Sequence, residues 1–108
     1  VLEVTFYRDG HNRFAGISAY GHVDFAERGQ DIVCAAVSGI LQAARLGLEH
    51  YDGGALTAFQ QEGEFDVMLD DGRRDVESVQ AIIMTAELAV TQVARRFPEH
   101  VSVAHEKV

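Results

Sequence analysis

The chain has 108 residues, the length of one domain, which excludes repeat arrays and multi-domain enzymes. Hydrophobic residues make up 47 % and aromatic residues 8 %, with no Trp, so a core must be built from Val, Ile, Leu and Ala. Nine Lys and Arg against seventeen Asp and Glu leave a net charge of −8, which argues against direct nucleic-acid binding and would suit a basic partner.

Residues 2–7 alternate, with Leu2, Val4 and Phe6 on one side, and predict a first strand. Asp9-Gly10-His11-Asn12 is a turn, and residues 13–20 predict the second strand of a hairpin. Residues 21–30 are polar, contain Gly21 and Gly29, and predict a loop. Asp31 is a candidate N-cap for a helix over residues 32–50, in which Val33, Val37, Ile40, Ala44 and Leu48 make one stripe. Asp52-Gly53-Gly54 ends it, and residues 56–61 and 64–69 predict a second hairpin. A second helix is expected over residues 75–97 on the stripe Val76, Val79, Ile83, Ala86, Val90, Val93 and Phe97. Pro98 stops it, and Val101 and Val103 mark a short last strand. The order ββαββαβ predicts an α+β fold over residues 1–108, with antiparallel hairpins in a sheet layer packed with two long helices.

Cys34 is the single cysteine, so no internal disulfide forms, which fits a reducing, cytoplasmic setting. No unbroken apolar run approaches the ~18 residues of a membrane span. The opening residues alternate and lack a signal-peptide pattern, so no membrane partner is expected.

Cys34 falls three residues after Asp31, at the start of the first helix. Helix N-termini carry unpaired N–H groups and the positive dipole end, which stabilise a thiolate and can hold an oxyanion. The Asp31 carboxylate opposes this. Cys34 sits about 80° from the centre of the apolar stripe, at its edge, with Ser38 one turn further on. A buried cysteine acting as a small hydrophobe is the structural alternative.

A nucleophilic cysteine needs a base. His11 sits in a turn, His50 at a helix C-terminus, and His100 and His105 are expected to bracket the last strand. His22 opens the loop that leads into the Cys34 helix, and the flanking glycines would let it fold back. Met84, Leu88 and Ala81 lie off the main stripe of the second helix and suit either a dimer face or further packing on the sheet. No Cys-x-x-Cys, His-Glu-x-x-His, P-loop or dinucleotide pattern occurs, so neither a metal nor a cofactor is expected.

Gly21-His22, followed by Gly29-Gln30-Asp31-Ile32-Val33-Cys34-Ala35-Ala36-Val37-Ser38, resembles the signature of the ribosomal-processing cysteine protease family, Prp. The twelve positions from His22 to Cys34 match that family, whereas Val23 stands where Ala usually follows the histidine. The resemblance implies a small cytoplasmic cysteine endopeptidase, commonly a homodimer, that removes the N-terminal extension of a large-subunit ribosomal protein. It implies a cut after aromatic residues and before a basic mature end. Cys34 would be the nucleophile and His22 the general base, with Gly21, Asp31 and Ser38 in support. The alternative is a non-enzymatic ribosome-associated assembly domain that binds a basic protein tail. A redox-sensing thiol is a third reading. Rapid, pH-dependent alkylation of Cys34 separates the first from the second.

Overall fold

The alternation of Leu2, Val4 and Phe6 gives the inward side of β1 (Leu2–Arg8), which pairs antiparallel with β2 (Phe14–Tyr20). The structure, a computed structural model, describes residues 1–21, 30–52 and 56–108. A second hairpin joins β3 (Leu56–Gln61) to β4 (Glu64–Leu69), and β4 pairs antiparallel with β2. The last strand, β5 (Val101–Lys107), runs parallel to β1, so the five-stranded sheet is mixed, in the order β3-β4-β2-β1-β5. The chain order is the expected ββαββαβ.

Strand β5 is longer than its two valines suggest. His105 continues their inward alternation and lies inside the strand instead of flanking it. Its ring stacks on Phe6 at 6.2 Å and its Nε2 meets a Glu87 carboxylate oxygen at 3.0 Å.

Helices α1 (Gln30–Asp52) and α2 (Glu77–Arg96) pack together over one face of the sheet. The buried stripe of α1 is Val33, Val37, Leu41, Ala44 and Leu48, with Ile40 at its margin. That of α2 is Val79, Ile83, Ala86 and Val90. Each fully buried side chain of this kind stabilises the fold by about 1.5–3 kcal/mol. By length and mean hydropathy (1.4 over Ile32–Tyr51) α1 is apolar enough to cross a membrane, contrary to the expectation from unbroken runs. Valine, isoleucine and leucine, with alanine between them, sustain that average despite the interrupting polar residues, and the inward stripe of α1 is spent on the core.

Two helix starts differ from expectation. α1 begins at Gln30, so Asp31 lies inside its first turn and is not the N-cap. α2 begins at Glu77, because Asp75 faces Arg13 at 2.9 Å and Val76 takes the extended cap position.

The end of the sheet away from Cys34 is tied by charge. Asp9 is buried, and its carboxylate accepts hydrogen bonds from the backbone N–H groups of His11 and Arg13 and from the Arg13 side chain. Arg74 reaches the same carboxylate at 3.4 Å and donates to the Leu69 carbonyl. Gln80 of α2 fastens the β2 start: its amide donates to the Phe14 carbonyl and accepts from the Phe14 N–H, both at 2.8 Å. This pairing holds the helix layer at the irregularity between β1 and β2 near Arg8.

Candidate active site

Starting α1 at Gln30 moves Cys34 from the first turn to the opening of the second, as the fifth helical residue. The free N–H groups then belong to Gln30, Asp31 and Ile32. Helical side chains tilt toward the N-terminus, so the Cys34 thiol leans back toward those groups. Cys34 is half-buried, at the edge of the stripe as its helical angle requires, and Ser38, one turn on, is exposed.

Both residues line a groove of about 230 Å³ between α1 and the near end of the sheet. The helix contributes Cys34, Val37, Ser38, Leu41 and Gln42. Leu2, Ala19 and Phe65 form an apolar floor, and Gln60, Gln61, Gly63 and Glu64 of the second hairpin form the far rim. Sequence reasoning missed that rim. The alternation that buries Phe65 is legible, but nothing in the spacing says that the β3–β4 turn closes against Cys34.

Gly21 completes the groove at the exit of β2. Its φ of +102° is open to glycine, and a Cβ there would run into the Val1 carbonyl oxygen. Its N–H donates to the Gly63 carbonyl at 3.0 Å. The chain therefore leaves β2 tied to the opposite rim, and His22 is the next residue. His22 and the loop expected over residues 21–30 lie, apart from Gly21 and the backbone of Gln30, outside the described residues, as does the side chain of Asp31. Of the described histidines, His11, His50, His100 and His105, none lines the groove.

Glu64 is the charged residue of the rim. Beside it, Asp66 and then burial and Glu64 push the Tyr20 phenol above its ordinary pKa, which marks this edge as electronegative. Among the described residues, no three His, Cys, Asp or Glu side chains are grouped to hold a metal ion. The site thus offers a half-exposed thiol near the N-terminal end of a helix, with an apolar floor in front of it. This is the equipment of nucleophilic attack on a carbonyl held in the groove.

Solved structures share this architecture. SMU.848 from Streptococcus mutans matches with 25 % identity, covering 100 % of this chain and 96 % of that one at a TM-score of 0.82. The essential ribosomal processing protease Prp from S. aureus matches at 19 % identity over 97 % of this chain and 99 % of that chain. Its TM-score is 0.84 in the complex with a covalently linked product peptide and 0.85 in the complex with a substrate peptide. At that identity the S. aureus structures speak for the fold. No curated protein matches the sequence. The model of the family described as cysteine protease Prp matches residues 1–102, nearly the whole chain with both the Cys34 helix and the sheet that faces it, and the chain belongs to that family of cysteine proteases.

Proposed function

We propose that this protease removes the N-terminal extension of a large-subunit ribosomal protein in the cytoplasm, with Cys34 as nucleophile and His22 as general base. The observation that carries the reading is the position of Cys34, half-buried at the mouth of a groove with an apolar floor. In the proposed reaction, His22 takes the thiol proton and the sulfur attacks the scissile carbonyl. The free N–H groups at the start of α1 stabilise the oxyanion, and His22 returns the proton to the leaving amine. Water then hydrolyses the thioester and frees the thiol. Support for His22 comes from its place directly after Gly21 and from the absence of the described histidines from the groove lining. Leu2, Ala19, Val37, Leu41 and Phe65 offer an aromatic side chain an apolar seat before the scissile bond. Incubation with the extended ribosomal protein, read by product mass, tests the reading. A single cut after an aromatic residue is expected, and an uncut precursor overturns the substrate assignment.

The proposal extends to a homodimer. Ile32, Leu46 and Leu88 are 72 %, 67 % and 60 % exposed on the outer side of the helix layer. Between them runs an apolar groove of about 400 Å³, with alanines 43, 44, 81, 86 and 89 in its lining. Leu88 is thus not spent on the sheet, whereas Ala81 and Met84 line a second cleft with Arg8 and Phe14 of the first hairpin. Two copies of a chain with a charge of −8 meet with least repulsion through such an uncharged face.

A further inference from the structure

Both helices cover one face of the sheet, and among the described residues no helix or strand lies over the other face. The register places residues on that open face in rows. Nearest the groove, Gln61, Glu64, Tyr20, Glu3 and Ser102 stand side by side across the five strands. In the next row Phe59 stands beside Asp66, and in the third Glu106 lies at the β5 edge.

Three features set this surface apart from an ordinary solvated face. Its charges have one sign: Glu3, Glu64, Asp66 and Glu106 are strand residues here, and among the described residues no Lys or Arg occupies a strand position on it. Its aromatic rings are open, with Tyr20 47 % and Phe59 50 % exposed. It is continuous with the groove, because Gln61 and Glu64 belong to both. Asp66 accepts from the Tyr20 hydroxyl at 3.4 Å and Glu64 from the Gln61 side-chain amide at 3.3 Å, but both donors are neutral, and carboxylates beside exposed rings suit Lys and Arg. Their aliphatic stems lie on the rings and their heads reach the carboxylates.

We infer that this open sheet face is a docking surface for an extended, Lys- and Arg-rich polypeptide segment that leaves the groove over Gln61 and Glu64. The inference rests on the protease reading above and assigns the segment to the substrate chain beyond the scissile bond. From Glu64 in the first row to Glu106 in the third is four residues along the strands and three strands across, about 20 Å at the usual spacings, so about six extended substrate residues span it. The contact is rim-like, so it contributes to capture and KM and leaves the chemical step untouched.

The test uses Glu3→Gln/Asp66→Asn, two positions outside the groove lining. One arm follows cleavage of two peptides with the same scissile sequence, with and without a downstream oligolysine segment. The parent should cut the tailed peptide with a KM about three- to tenfold lower, an advantage that added salt removes. The double variant should cut the short peptide as the parent does and lose the advantage of the tail. A second arm measures binding of a labelled oligolysine peptide to Cys34→Ala protein by anisotropy, which needs no cleavage. Binding weakened by the double substitution supports the surface even if the ribosomal precursor is not cut, which separates the two proposals. Equal binding by both proteins overturns it. So does a change of solution mass in Tyr20→Ser/Phe59→Ser, which assigns the face to a second copy.

Discussion

Gly21 and Gly63 are joined by a hydrogen bond of 3.0 Å between main-chain groups, and both hold positive φ. One ends β2 just before His22, and the other turns the hairpin that forms the far rim of the groove. The exit of β2 and the far rim of the groove are thereby fixed to each other by backbone. Gly21→Ala should destabilise the protein by about 1–3 kcal/mol, because the residue must leave its φ or displace Val1. Cleavage should fall further than stability accounts for, since the proposed base, His22, is the next residue in the chain. Thermal melts alongside kcat/KM check this, and an Ala variant with parental values of both would refute it.

Cys34→Ala should abolish cleavage and cost no more than about 1.5 kcal/mol, because the side chain sits at the stripe edge and is only half-buried. His22→Ala should lower the rate by roughly 10²- to 10⁴-fold. Alkylation of Cys34 by iodoacetamide near neutral pH should slow in the same variant. An unchanged alkylation rate would leave the start of α1 as the thiol's activator.

Replacing the aromatic residue before the scissile bond with Ala should reduce kcat/KM by about ten- to a hundredfold, the equivalent of burying one ring at about 1.5–3 kcal/mol. Salt should not change that loss. A substrate cut equally well with Ala there would mean that the apolar floor of Leu2, Ala19 and Phe65 does not read the ring.

Asp9 gives the stability a defined acid dependence. Burial raises its carboxyl pKa, but the Arg13 side chain, the N–H groups of Arg13 and His11, and Arg74 outweigh burial and hold it well below the usual range. The unfolded chain therefore binds the proton more readily, and stability falls as pH drops through and below about 4. The contribution is fully present near neutrality. Asp9→Asn should lower stability at pH 7 and flatten its decline between pH 5 and 3. Urea midpoints at several pH values measure both, and parallel curves for the two proteins would exclude Asp9 as the source.

Leu46→Lys with Leu88→Lys should leave the fold intact, since both side chains are exposed, and halve the mass in solution. Sedimentation reads the change. A dimer that survives both lysines uses another face.

The strands and helices were legible because their alternation and their three-and-four spacing match what the core requires of Val4, Phe6, Val37 and Ile83. Element ends were less so. Asp31 has the chemistry of a cap, yet the helix starts one residue earlier. His105 hides the length of β5 because a polar residue sits on the inward face, where Phe6 and Glu87 accommodate it. The direction of β5 was not legible, since alternation looks the same in parallel and antiparallel strands. The offset of Cys34 against the stripe suits a small buried hydrophobe as well as a reactive thiol, and the resemblance of its neighbourhood to the Prp signature chose between them, whereas Gln60, Gln61 and Glu64 come to it through tertiary closure that leaves no local pattern.

The parallel pairing of β5 with β1 bears on how the protease is made. Leu2, a wall of the groove, donates its N–H to the His100 carbonyl at 2.9 Å, and its strand neighbour is Val101. One edge of β1 thus stays unpaired until β5, far along the sequence, has docked beside it. Contacts so distant in sequence close late. The Leu2 wall of the groove is therefore held by a strand that gives the groove no residue of its own, so anything that loosens β5 reaches the site at a distance.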